Sequence, residues 1–160
     1  IHSLIEEVLT DLEPLAQEKK VELIRKSQEV RGKEDEVLFL TGSDILIYRM
    51  LYNLVENAIK YNRKDGTVMV SALREKNKVV LTVSDTGNGI DEAFREQIFE
   101  PFFRVDKSRS RELGGVGLGL AMVREVVRVH DGTIKVYPTQ HSGTTFQVNL
   151  GIGDDFEKAV

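Results

Sequence analysis

Cysteine is missing from all 160 residues, which excludes disulfides and thiolate metal sites and agrees with a reducing compartment such as the cytosol. No apolar run approaches the roughly 20 residues of a membrane span. No signal-peptide pattern opens the chain, so a soluble piece is expected. Positive charge is not in excess: 22 Lys and Arg stand against 26 Asp and Glu, a formal charge of −4. Nothing global therefore draws the chain to nucleic acid or an anionic membrane, and an anionic ligand has to be met by a local cluster. Internal repeats and low-complexity linkers are absent as well. A hydrophobic content of 41% remains, enough for one compact domain. The chain opens on Ile1 within a helical pattern rather than on Met, which reads as a piece cut from a longer protein.

Ile1, Leu4, Ile5, Val8, Leu9 and Leu12 recur at helical spacing, with Ser3 and Glu6 placed for a capping box and Pro14 expected to kink or restart the helix. VELIRK at 21–26 and EVLFLTG at 36–42 read as short strands. Gly42, Ser43 and Asp44 supply turn and N-cap chemistry for a long helix at about 44–61. TVMVSALRE and KVVLTVSD form a hairpin, DEAFREQIF a short helix, AMVREVVRVH an apolar helix ending at Gly132, and TIKVYP with TTFQVNL a closing strand pair. Adjacent strand pairs, without strict βαβ alternation, predict an α+β fold. Its form is a two-layer α/β sandwich with a mixed, mostly antiparallel sheet and helices on one face. Residues 151–160 read as a loose tail.

Three stretches stand apart. Along the helix that carries NLVENAIKYN, at 53–62, Ile47, Leu51, Leu54, Val55, Ala58 and Ile59 fill one arc, while Arg49, Asn53, Glu56, Asn57, Lys60 and Tyr61 fill the opposite one. Asn is a poor helix former, so two of them one turn apart carry a small cost in propensity. Their amide oxygens suit a divalent cation that already carries phosphate oxygens, and Lys60 adds positive charge. A solvated helix face is the plainer reading of this stretch by itself. The strand ending at Asp85 runs into DTGNGI. An aspartate there can accept from an exocyclic amine, and Gly87 and Gly89 let backbone approach a flat ring; a plain turn is the simpler alternative. GGVGLGL at 114–120 feeds a helix and presents free N–H groups and a positive dipole end to an anion. It lacks the ending of a P-loop and the glycine order of a Rossmann turn. Arg104, Lys107, Arg109 and Arg111 concentrate positive charge just upstream, as a cover over polyphosphate requires, although for Lys107, Arg109 and Arg111 a merely mobile soluble loop is the alternative.

Together these segments resemble the ATP-binding domain of bacterial sensor histidine kinases, of the superfamily shared with DNA gyrase, the heat-shock chaperone of 90 kDa class and mismatch-repair ATPases, whose fold is of the Bergerat type. NLVENAIKYN is similar to the N box, DTGNGI to the G1 box, FEPFFRVDKSRS to the F box and following lid, GGVGLGL to the G2 box, and GTTF at 143–146 to the last glycine-containing box, in family order from about residue 36 to 150. The resemblance implies ATP and Mg²⁺ as cofactors. Asn57 would ligate the metal, Asn53 would support the metal and phosphate site, and Lys60 would contact phosphate. Tyr61 would flank the adenine and Asp85 would take its amine, while Gly87, Gly89 and Ile90 would form the base pocket. Arg104 would meet the terminal phosphate. Gly115, Gly117 and Gly119 with Leu118 and Leu120 would close around the phosphates, and Thr144 would reach the base through water. Phe99, Phe102 and Phe103 are expected to anchor the lid by packing. Asn62 and Arg63 stand where Ser or Thr and Pro are common, and are expected to touch only the loop; Val116 stands where a small hydroxyl residue is common.

The hydrolytic relatives carry a glutamate at the Asn53 position, whereas an amide cannot accept a proton, so hydrolysis is disfavoured and transfer to an external histidine is implied. Glu56 is the competing candidate for a base. His2, His130 and His141 are the only histidines, and none sits in the acceptor context of the family. The expected organisation is a helix over 1–20 leading from a dimerisation and phosphoacceptor region, then an ATP-binding catalytic domain over 21–150. The expected partners are the histidine phosphotransfer domain of the same parent and a response regulator. The piece itself is expected to be a monomer, cytoplasmic, in a homodimeric parent anchored in the bacterial inner membrane. An ATP-binding interaction module without transfer activity and an anti-sigma-type serine kinase are the alternatives.

Overall fold

The structure, a computed structural model, describes residues 1–26, 40, 42–105, 116–139 and 142–152. Helix α1 (His2–Lys19) leads into β1 (Val21–Arg25), and α2 (Asp44–Lys60) into the hairpin β2 (Gly66–Glu75) and β3 (Lys78–Asp85). Two single-turn 3-10 helices, Glu92–Phe94 and Gln97–Phe99, precede α3 (Gly119–Val129), which is followed by β4 (Thr133–Pro138) and β5 (Thr144–Gly151). The five strands form one sheet in the order β1-β2-β3-β5-β4. Among the described strands only the β1–β2 pair is parallel. Of the expected strand at 36–42, only residues 40 and 42 lie among the described ones.

Alternation decides which face is covered. Val68, Val70 and Ala72 of β2, Leu81 and Val83 of β3, and Phe146, Val148 and Leu150 of β5 are buried beneath the helices. Their alternates Thr67, Ser71, Thr82, Ser84 and Gln147 stay half-exposed on the other face. Every apolar position read from the α2 arc is buried: Ile47, Leu51, Leu54, Val55, Ala58 and Ile59. The α+β sandwich with helices on one face is therefore the observed architecture.

Three local expectations are corrected. Helix α1 runs through Pro14 without restarting. A mid-helix proline costs about 3 kcal/mol, but Ile5, Val8, Leu9 and Leu12 before it and Ala16 beyond it all reach one core. Each buried aliphatic side chain contributes about 1.5–3 kcal/mol, so packing wins. The capping box fails because the helix starts at His2 with Ile1 as its cap, which leaves Ser3 inside the first turn. DEAFREQIF splits into two 3-10 turns, the first capped by the Asp91 side chain, which accepts from the Ala93 N–H at 2.9 Å.

Helix α1 is tied to α2 where the Tyr48 hydroxyl donates to Asp11 Oδ2 at 2.6 Å. That hydrogen bond is the main reason the Tyr48 hydroxyl is pushed up to about 12. Tyr48→Phe is expected to lower stability by about 1 kcal/mol, a fall in Tm of roughly 2–4 °C for a chain this size, read by thermal melts of the two proteins at pH 7.

Candidate functional site

Helix α2 turns its polar arc toward the start of α3. The Asn53 Nδ2 donates to the Arg49 carbonyl at 2.7 Å, which fixes the amide and leaves Oδ1 facing away from its own helix. The first residue of α3 lies directly against that oxygen: a Cβ added at Gly119 would stand 2.6 Å from Asn53 Oδ1. One turn further along α2, Asn57 is half-buried. Lys60 is not bare, because its Nζ pairs with Glu56 Oε1 at 2.8 Å. Both side chains are about three-quarters or more covered (21% and 27% exposed), so this pair is shielded better than a typical surface pair. Its i, i+4 spacing was visible in the sequence, although the two residues read there as a phosphate contact and a competing base.

At the far end of α2, Tyr61 is half-exposed, and its carbonyl accepts from the Asn88 N–H at 3.4 Å. A Cβ on Gly87 would fall 2.5 Å from that same carbonyl and 2.9 Å from the Cα of Asn62. Close approach of the chain's own backbone by itself requires glycine at position 87. Gly89 adopts a positive φ of 74° and lies against the Gly143 backbone. Ile90 packs partly against the core.

Asp85 is the chemical centre of this end. It is only 7% exposed. Its Oδ1 accepts from the Gly87 N–H at 2.8 Å and the Thr144 N–H at 3.1 Å. Burial pushes its carboxyl above the usual aspartate value, and the two backbone donors oppose that rise without cancelling it. Both bonds fall on Oδ1, so Oδ2 is the oxygen left to meet a donor from outside. Thr144, also buried, thereby acts on the carboxylate through its backbone. Gly143 before it has φ 108°, and a Cβ there would lie 2.1 Å from the Asp85 carbonyl. Nothing in the residues flanking Gly143 signals that contact.

Around α3, Gly117 takes φ 77° and its carbonyl accepts from the Phe102 N–H at 2.9 Å. Phe99 is buried edge-on to Phe146, and Phe103 rests on Phe94 with 6.0 Å between ring centroids. Phe102 departs from the expected anchoring role: it is 67% exposed with a positive φ of 65°. Its backbone, rather than its ring, makes the contact. Arg104 follows Phe103, is half-buried, and joins the set through that neighbour, whose carbonyl lies 3.1 Å from a Cβ built on Gly117. Leu118 caps α3 and is exposed, whereas Leu120 packs partly on the core. Gly115, Lys107, Arg109 and Arg111 lie outside the described residues.

Tyr61 with Gly87 and Asn88, and Asp85 with Gly87, Gly143 and Thr144, form one group of contacts at the C-terminal ends of α2 and β3, while Asn53 with Gly119 forms a second group further back along α2. Two open clefts lie elsewhere, one lined by Lys20, Glu22 and Asp65, the other by Leu9, Pro14, Leu23 and Arg25, and neither includes a site residue. Among the described residues no group of three or more His, Cys, Asp or Glu could hold a metal by itself. A hard cation here would take amide oxygen from the protein and most of its shell from phosphate and water, the habit of Mg²⁺. Asn57 on the open arc of α2 fits that donor set.

Known proteins are similar to this chain over most of its length. A family model described as histidine kinase-, DNA gyrase B-, and HSP90-like ATPase matches residues 42–153. The sensor-like histidine kinase SenX3 of Mycobacterium tuberculosis is 43% identical over 122 residues, 76% of this chain and 30% of that protein. The chain therefore spans under a third of the length of that relative. Among solved structures, the nucleotide-free catalytic domain of histidine kinase ThkA superposes with a TM-score of 0.79 at 26% identity, covering 94% of this chain and 91% of that one. Full-length ShkA in complex with AMPPNP superposes with a TM-score of 0.77 at 25% identity, covering 94% of this chain and 30% of that one.

Proposed function

Because the chain belongs to the family of histidine kinase-, DNA gyrase B- and HSP90-like ATPases, we propose that it binds Mg-ATP along α2 and serves as the catalytic domain of a two-component sensor kinase, handing the terminal phosphate to a histidine on a separate helical hairpin. The observation that carries this reading is the buried Asp85 carboxylate, whose Oδ1 accepts from two backbone donors, the Gly87 and Thr144 N–H groups. That geometry suits an exocyclic amine and selects adenine over a base with an oxo group at the same position. The AMPPNP bound to ShkA is a nucleotide of the kind proposed here.

In this reading each residue has a task. Asp85 orients the base, with Tyr61, Gly87, Gly89 and Ile90 as its walls and Thr144 fixing the carboxylate. Asn57 holds Mg²⁺, which when bound offsets charge on the phosphates. Asn53 supports that site with its oriented Oδ1, Lys60 supplies positive charge modulated by Glu56, and Gly115, Gly117, Leu118, Gly119 and Leu120 close on the phosphates at the start of α3. Arg104 stabilises charge on the terminal phosphate. Neither Asn53, an amide, nor Glu56, held in an ion pair with Lys60, is placed to activate water, so transfer to a positioned imidazole is favoured over hydrolysis. There the acceptor nitrogen forms a bond to the terminal phosphorus as the bridging P–O bond breaks and ADP leaves.

The acceptor is another domain's. His130 has both ring nitrogens engaged, Nδ1–H donating to the Val126 carbonyl at 2.8 Å and Nε2 accepting from the Ser43 N–H at 3.3 Å; the tautomer follows from these partners. We place a dimerising histidine hairpin before α1 in the parent, a response regulator downstream, and the parent at the bacterial inner membrane with this domain in the cytoplasm. None of the described helices is long and apolar enough to cross a membrane.

Adding a histidine-bearing hairpin domain with terminally labelled ATP tests the reading. Label on histidine supports it; label on serine, or nucleotide binding without any transfer, contradicts it. Gly119→Ala is a further check. The added Cβ displaces Asn53 Oδ1, while alanine raises helix propensity by about 1 kcal/mol. Melting should stay level, and calorimetric affinity for Mg-ATP should fall about tenfold, the loss of one oriented polar contact.

A further inference from the structure

Asn62 was expected from sequence to touch only the loop after α2. Instead, its side chain sits at the centre of a closed hydrogen-bond ring. Asn62 Nδ2 donates to the Thr67 carbonyl at 3.1 Å, the Thr67 N–H donates to Thr86 Oγ1 at 2.9 Å, and the Thr86 hydroxyl donates back to Asn62 Oδ1 at 3.3 Å. The same Oδ1 also accepts from the Arg63 N–H at 2.9 Å, and the Thr86 N–H bonds the Thr67 carbonyl at 3.2 Å. The Thr86 hydroxyl thus both accepts, from the Thr67 N–H, and donates, to Asn62 Oδ1. Three separate pieces of chain meet there: the end of α2, the start of β2, and the residue immediately after Asp85.

Within the proposed nucleotide reading, on which this inference rests, these are the three pieces that build the base end of the cleft and not its phosphate end. Tyr61 precedes Asn62 directly, and Gly87 approaches both Tyr61 O and Asn62 Cα so closely that no Cβ fits. The position of the Asp85 carboxylate depends on the Gly87 N–H, and Gly87 in turn is seated on the Tyr61–Asn62 backbone that the ring holds still. A part-buried network with all members satisfied holds its members in one arrangement, and removal of one leaves the others unpaired. Asn53, Asn57 and Gly119 are not part of it.

We propose that Asn62 is a positioning residue that sets base selectivity: through Thr67 and Thr86 it clamps the end of α2 to the loop following Asp85, and so fixes the distance between the adenine wall and the carboxylate that reads the amine. A serine or threonine in its place could not donate and accept across the same span. The residue acts through Asp85 and Tyr61 and need not touch the nucleotide.

The test is the ratio of affinities for Mg-ATP and Mg-ITP, which differ at the exocyclic amine, measured by calorimetry on the wild-type chain, Asn62→Ala and Thr86→Val, with a thermal melt of each. The wild type should prefer ATP. In Asn62→Ala that preference should shrink about tenfold, the worth of two linked hydrogen bonds, chiefly through weaker ATP binding with ITP nearly unchanged. Thr86→Val, which removes the hydroxyl at constant bulk, should shift the ratio in the same direction and decides the matter alone if Asn62→Ala fails to fold. Equal weakening toward both nucleotides, or an unchanged ratio with only a lower Tm, overturns the inference while leaving the nucleotide reading intact. A wild-type chain that binds neither nucleotide overturns the nucleotide reading, and this inference with it.

Discussion

Asp85→Asn is expected to weaken Mg-ATP binding by about 3 kcal/mol, roughly 100-fold in Kd, without loss of fold. The asparagine oxygen can still accept from the Gly87 and Thr144 N–H groups, so both backbone donors stay satisfied. Its amide nitrogen then occupies the Oδ2 position and presents a donor to the donor of the base, and the charge that strengthened the contact is gone. Stability should move the other way. Burial raises the Asp85 carboxyl above its ordinary value, so the folded state binds the proton more readily than the unfolded chain. The ionised side chain therefore costs stability at neutral pH, and that cost disappears as the pH falls below the unfolded value near 3.8. Asp85→Asn should accordingly match or exceed the wild type in denaturant melts at pH 7, and the difference should narrow on acidification toward pH 4. A variant that is clearly less stable at pH 7 would show that the carboxylate is held by more than its two backbone bonds.

Asn57→Ala should remove the metal-dependent part of nucleotide affinity. Outer-shell partners of a metal typically cost 10- to 100-fold when removed, and a direct ligand should reach at least the upper end, about 100-fold in Kd. The residual binding in EDTA, carried by the base, should be the same in both proteins. Asn57 is half-buried on α2 and makes no contribution to the buried core, so the melting temperature should change little. If affinity in Mg²⁺ survives unchanged, or falls equally in EDTA, the metal assignment is wrong.

The fold was legible where one periodicity had one answer. Burial of the α2 arc and of alternate residues in β2, β3 and β5 followed directly from sequence spacing, because each element has a single apolar face to hide. Pro14 does not restart α1, because buried residues on both sides of it outweigh its local propensity. The parallel partner of β1 was not readable, since nothing in VELIR tells which strand will lie beside it. At the site, Asp85 and the two asparagines were marked by residue type, but the reasons for the glycines were not. Gly87 and Gly143 are required by close approach of backbone from residues 61 and 85, distant in the chain, and a sequence carries no distances. Asn62 was passed over for the same reason: its two strand partners, Thr67 and Thr86, look like ordinary strand-end threonines until β2 and β3 are paired.

The central claim is that α2, the Asp85 loop and the start of α3 serve one nucleotide. Titrating isotope-labelled protein with Mg-ATP and following backbone and side-chain amide signals tests it in a single experiment. The account predicts saturable shifts with one common Kd at Asn53, Asn57, Tyr61, Gly87, Gly119 and Thr144, and none in the cleft of Leu9, Leu23 and Arg25. Shifts confined to one of the three segments, or different dissociation constants for the asparagines and the Asp85 loop, would contradict it.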